Sequence, residues 1–128
     1  MKRRITSGAP WEDKVGYCRA LRVGGRVFIT GTAAVEEDGS VFAPGQPYEQ
    51  AQRCLQLIEA ALLEAGGVRS DIVRTRMFVT DIELWEDYGR AHSEFFGTER
   101  PTTTMVEVNR LIDPDMLIEI EADAIIEE

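Results

Sequence analysis

Three threonines in succession, Thr102 to Thr104, follow Pro101 in the run ERPTTTMVEVNRL, ahead of the apolar alternation of Met105, Val106 and Val108. β-branched residues suit a pleated strand, but three adjacent hydroxyls bury poorly, so they must face something polar. A second polar array lies in LIEIEADAI, where Glu119, Glu121 and Asp123 alternate with Ile118, Ile120, Ala122 and Ala124. That alternation puts the three acids on one face of a strand. Carboxylates two residues apart on such a face lie about 7 Å apart, close enough for general acid/base work. A solvated acidic surface is the competing reading, and the face must meet water, a cleft or the cations of a neighbouring chain.

Other chemistries find less support. The single histidine, His92, is spaced with Tyr88 and Phe95 as a packed helix residue would be, and the sequence offers it no catalytic partner. One histidine and two distant cysteines, Cys18 and Cys54, supply no metal-ligand cluster, so no metal is expected. The glycines of VGGRVFITG follow neither the dinucleotide fingerprint nor the phosphate-loop pattern, and no serine sits in a GxSxG elbow. No cofactor is expected. Arg69, Arg74 and Arg76 cluster without interleaved aromatics. The 23 acidic and 14 basic side chains give a net charge of −9. With a pI near 4.6, such a chain repels phosphate backbones and is not expected to bind nucleic acid.

These residues need a frame. A chain of 128 residues, 44% hydrophobic, fits one domain over residues 1–128. No run reaches the roughly 18 apolar residues of a membrane span, and no apolar segment follows the basic start. With two unpaired cysteines, a cytoplasmic protein that does not engage membranes is expected. Cys18–Val23 and Arg26–Thr32 read as a hairpin about Gly24 and Gly25, with a short strand near Val41 and Phe42. Ala51, Cys54, Leu55, Ile58, Leu62 and Ala65 mark an amphipathic helix from Pro47 to the Gly66-Gly67 stop. A strand follows, with Val73, Thr75, Met77 and Val79 on one face. A second helix runs from an Asp81 cap to Gly97, with Leu84 or Trp85, Tyr88, Ala91, His92 and Phe95 as its stripe. The threonine strand and the acidic strand read as partners joined by a turn at Pro114. This order argues for an α+β protein with two helices on one side of a mixed sheet.

GYCRALRVGGRVFITG, the helix PYEQAQRCLQLIEAALLEAGG, MFVTDI, EFFG ahead of RPTTTMVEV, and LIEIEADAI also form an ensemble. Over about Trp11 to Ile125 the chain resembles the Rid/YjgF family, the reactive-intermediate deaminases once filed as endoribonucleases or translation inhibitors. The resemblance implies a chorismate-mutase-like fold and a homotrimer whose sheets form a central barrel, with three small-molecule clefts at the subunit interfaces. Tyr17 matches the tyrosine bordering that cleft, Thr30 and Gly31 the Ser-Gly pair lining it, and Glu119 the glutamate that positions a water. Trp11, just before them, would stack on a planar ligand or plug the barrel end.

Three positions depart from the family. Thr103 stands where imine deaminases carry an arginine that grips the substrate carboxylate bidentately; Gly89 replaces a frequent asparagine and Met105 a common cysteine. A hydroxyl offers one neutral hydrogen bond and cannot neutralise an anion. The threonine run is therefore expected to line a cleft whose charged anchor is gone. Arg19 or Arg76 would substitute for it, unless each is tied up in a salt bridge. Three functions remain open: a hydrolase or deaminase of C=N bonds, a non-catalytic binder of an uncharged or aromatic metabolite, and a ribonuclease, which needs a basic surface.

Overall fold

A computed structural model describes residues 1–127. In chain order its main elements are β1 (Lys2–Ile5), α1 (Pro10–Val15), β2 (Ala20–Val23), β3 (Arg26–Ala33), α2 (Pro47–Glu64), β4 (Ile72–Val79), α3 (Trp85–Phe96), β5 (Thr102–Glu107) and β6 (Ile118–Ile125). The strands form one mixed sheet in the order β1-β2-β3-β6-β4-β5. Only β4 and β5 run parallel; the other neighbours are antiparallel. α2 and α3 pack together over one face of the sheet, and the fold is α+β, as the residue pattern indicates. Among the described residues no helix is long and apolar enough to cross a membrane.

The periodicities explain the layers. Ile118, Ile120, Ala122 and Ala124 of β6 are buried beneath the helices, while Glu119, Glu121 and Asp123 point to the open face. α2 meets them with Cys54, Leu55, Ile58, Ala61 and Leu62, and ends before Gly66, whose φ of +97° is a left-handed stop. α3 contributes Tyr88, Ala91 and Phe96. Both cysteines are free thiols.

Several expectations need correction. β5 does not pair with β6. The acidic strand inserts between β3 and β4, and the threonine strand lies at the edge, parallel to β4 and joined to it through α3. Parallel neighbours require such a crossover, and a central strand needs the fully apolar inner face that β6 has and β5 lacks. In β4 a register shift between Ile72 and Arg74 turns Val73 out to solvent and Ile72 into the core. Asp81 caps a short 3-10 turn, Ile82–Leu84, and α3 begins after it with Trp85 exposed. The strand near Val41 and Phe42 reduces to a single bridge, Val35 to Val41. The first 15 residues, which carry no long periodic signal, fold as β1 and α1.

Candidate functional site

α1 is a short helix opened by Pro10, and its buried residue is charged: Glu12 accepts hydrogen bonds from the backbone and hydroxyl of Ser7. The Arg19 guanidinium lies 3.5 Å from the same carboxylate and also donates to Gly31 O and to Thr32 Oγ1. This network fastens α1 to β3 and fixes one wall of a cavity of about 410 Å³. Trp11, Tyr17, Arg19, Thr30, Gly31 and Glu119 all line it. Trp11 is partly exposed on the wall, with the Lys14 ammonium 5.4 Å above its ring.

Backbone irregularity makes the room. Between Ile29 and Thr32 the pairing of β3 with β6 slips by one residue, a bulge that contains Thr30 and Gly31. Bulges bend a strand and re-aim its side chains. The bulge brings the backbone of residue 31 against the Glu119 carboxyl, where a Cβ would collide with Oε2. A side chain at residue 31 would make the Glu119 carboxyl swing aside, so glycine leaves that carboxyl in its place.

Glu119 is half-buried, and among the described residues none donates a hydrogen bond to it. Burial raises its pKa above the ordinary carboxylate value; Arg19 opposes the rise, and Glu121 adds to it. A carboxylate so placed keeps its lone pairs for a water or a ligand and titrates nearer neutrality, as a general base should.

Thr103 is not beside it. Thr103 pairs with Thr75, which pairs with the buried Ala122, so its side chain is on the helix face of the sheet. Glu119 is on the open face, two strands away. Thr103 lines no part of the cavity; its hydroxyl lies 2.7 Å from that of Thr75, itself 2.8 Å from His92 Nε2. His92 therefore has the partner that the sequence did not reveal, and desolvation lowers its pKa. Thr102 donates to Val73 O, across from the β4 register shift. Arg76 lies outside the cavity as well, bonded to Glu121 at 3.2 Å and Asp123 at 3.4 Å on the open face. The salt-bridge reading holds for Arg76, and Arg19 reaches the cavity with Glu12 already as its counter-ion.

Residues 8–126 match the family described as Endoribonuclease L-PSP. The chain belongs to this family, that of the Rid/YjgF proteins. It is 36% identical to a protein of Streptomyces coelicolor over 95% of this chain and 90% of that one. It is 32% identical to the 3-aminoacrylate deaminase RutC of Acinetobacter baylyi, over 84% and 85% of the two chains. Among solved structures, Rv2704 of Mycobacterium tuberculosis, of the YjgF/YER057c/UK114 family, superposes with a TM-score of 0.90 at 41% identity, covering 98% of this chain and all of that one.

Within this L-PSP family chain, five of the expected site residues, Tyr17, Arg19, Thr30, Gly31 and Glu119, meet around one cavity. Two, Thr103 and Arg76, do not. Glu12, which lies in the segment that leads to Tyr17, holds Arg19 in place and is itself held by Ser7, a residue to which the sequence pattern gives no role. The signal that could have found them is a glutamate on a six-residue helix beside an arginine seven positions on.

Proposed function

We propose that the cavity is a small-molecule site for hydrolysis of a C=N bond, with Glu119 as the general base. The half-buried carboxyl of Glu119, which faces Gly31 and receives no hydrogen bond among the described residues, carries this reading. Glu119 orients a water on the C=N carbon and accepts its proton as the C–O bond forms. The nitrogen takes up a proton, the C–N bond of the carbinolamine breaks, and a carbonyl compound and an amine or ammonia leave. Tyr17 and Thr30 border the substrate, and Gly31 lets it approach the backbone. The deaminase activity carried by the name of the Acinetobacter relative is of this chemical type.

The same reading makes the working unit a homotrimer in the cytoplasm. Thr103 lines no part of its own chain's cavity, and in such a trimer the β5 edge of another copy would complete it. Edge strand β5 has a free side, and Phe28, Val106 and Ile125 leave apolar surface uncovered. A 2-aminoacrylate substrate fits poorly, since residue 103 supplies only a hydroxyl already bonded to Thr75. That observation also favours a second reading, in which the cavity binds a neutral metabolite without turnover. The net charge of −9 speaks against RNA as substrate. Release of aldehyde from a small imine, with and without Glu119→Gln, separates the readings: loss of catalysis in the variant supports hydrolysis, and no acceleration by the unaltered protein leaves the binder.

A further inference from the structure

His92, the single histidine of the chain, takes no part in the chemistry of the cavity. Its Nε2 lies 2.8 Å from Thr75 Oγ1, which lies 2.7 Å from Thr103 Oγ1. The row runs from a half-buried imidazole on α3, through a fully buried hydroxyl on β4, to an exposed hydroxyl on the edge strand β5. Because Thr75 is fully buried, neither solvent nor another copy of the chain can give its hydroxyl a further partner. One hydrogen per hydroxyl then leaves the row two arrangements. With a proton on Nε2, the ring donates to Thr75, Thr75 donates to Thr103, and the Thr103 hydrogen is free to point outward. With Nε2 bare, Thr75 donates to the ring, Thr103 donates to Thr75, and Thr103 shows only lone pairs. Mixed arrangements strand the Thr75 hydrogen without an acceptor or set two lone pairs against each other, which is costly in the interior.

We propose that His92 is a positioning residue that sets, through Thr75, whether Thr103 offers a hydrogen-bond donor or only an acceptor at the β5 edge. For the ligand, the inference rests on the trimer reading, in which that edge meets the cavity of another copy. A carbonyl oxygen or imine nitrogen against Thr103 fixes the donating arrangement and a proton on Nε2; an amino group fixes the reverse. The surroundings leave the choice open to the ligand. Burial, with no charged neighbour among its causes, lowers the pKa of His92, and the neutral ring has two tautomers. The charged side chains of the neighbouring elements are paired with other groups: Glu59 of α2 with Arg69, Arg90 with Glu94 on α3, and Arg76 of β4 with Glu121 on the open face. On β5, Glu107 accepts from Ile82 N.

The test reads the imidazole directly. In the untagged full chain with isotope-labelled histidine, long-range proton–nitrogen NMR reports one ring and resolves a nitrogen bearing a proton from a bare one. Thr103→Val removes a hydroxyl to which the ring is not bonded. Thr75 can then give its hydrogen only to Nε2, so the ring is expected to be confined to the Nδ1–H tautomer. Whatever tautomer the unaltered chain holds, an imidazolium in the variant strands the Thr75 hydrogen, and the proton affinity of His92 is expected to fall about tenfold. Thr103→Ser should restore the behaviour of the unaltered chain. A ring held only by packing would not register the change, and a His92 titration identical in Thr103→Val and the unaltered chain would overturn the inference. With the imine of benzaldehyde and methylamine, Thr103→Val is expected to raise KM a few-fold and leave kcat as it was; an unchanged KM overturns the ligand contact. The spectra involve no turnover, so the readings fail separately. A coupled ring in a chain that hydrolyses no imine retires the hydrolysis reading alone, and Glu119-dependent turnover with an uncoupled ring retires this one alone.

Discussion

The two ends of the sheet hold their polar groups in different ways. At the β4–β5 edge three hydroxyls are already bonded: Thr103 to Thr75, Thr75 to His92, Thr102 to the Val73 carbonyl. At the β3–β6 end the Glu119 carboxyl is half-buried with no donor on it among the described residues, against a glycine that leaves it space. Saturated groups stabilise a fold; a desolvated group with spare hydrogen-bonding capacity costs stability and is available to a substrate. On the proposed reading, the chemistry belongs to the Glu119 end, and within each chain the bonded threonines of the other edge serve as scaffolding.

The largest effect should come from Glu119→Gln, which removes the base and the buried charge together. Imine turnover should fall about 10²–10⁴-fold, while the melting temperature at neutral pH stays level or rises. A fall in both would erase the contrast between the two ends. Gly31→Ala comes next. Its methyl must displace the Glu119 carboxyl or the bulge, at about 1–3 kcal/mol of stability, with turnover reduced by about tenfold or more, measured by denaturant unfolding and initial rates.

Thr75→Val breaks the hydroxyl chain at the other end. It should cost about 1–2 kcal/mol, since the half-buried His92 loses its partner, and leave turnover per folded molecule unchanged. The smallest effect is on pH dependence, where the two ends have opposite signs. The folded pKa of Glu119 is raised above its ordinary 4.5, so its contribution to stability is present below that value and is lost as pH rises through the folded pKa. His92 is depressed below 6.5, so its contribution is present above 6.5 and is lost as pH falls through the folded pKa. Melting curves against pH for Glu119→Gln and His92→Gln should each lose one slope and keep the other.

Much of this was legible because one-sided burial imprints a period. The alternation of LIEIEADAI and the three- and four-residue rhythm of α2 each mark a face that packs against the other, and both formed as read. What the residues did not show depends on pairing between distant segments. The partner of β5 is fixed by a helical crossover, and the contact of Thr103 with Thr75 joins positions 28 apart through strand register. The shifts at Ile72/Arg74 and Ile29/Thr32 insert single residues, which a strict period of two cannot anticipate. The cavity residues are marked by the family resemblance and by no periodicity of their own. Alternation alone put Glu119, Glu121 and Asp123 on a common footing. The structure separates them, because Arg76 bridges the latter two while Glu119 lines the cavity.

The most direct test of the central claim is the pH dependence of kcat/KM for imine hydrolysis, followed in the unaltered protein and in Glu119→Gln. A base limb with an apparent pKa above the ordinary carboxylate value, abolished in the variant, is the predicted result. A profile that the substitution leaves unchanged in shape and height would contradict it.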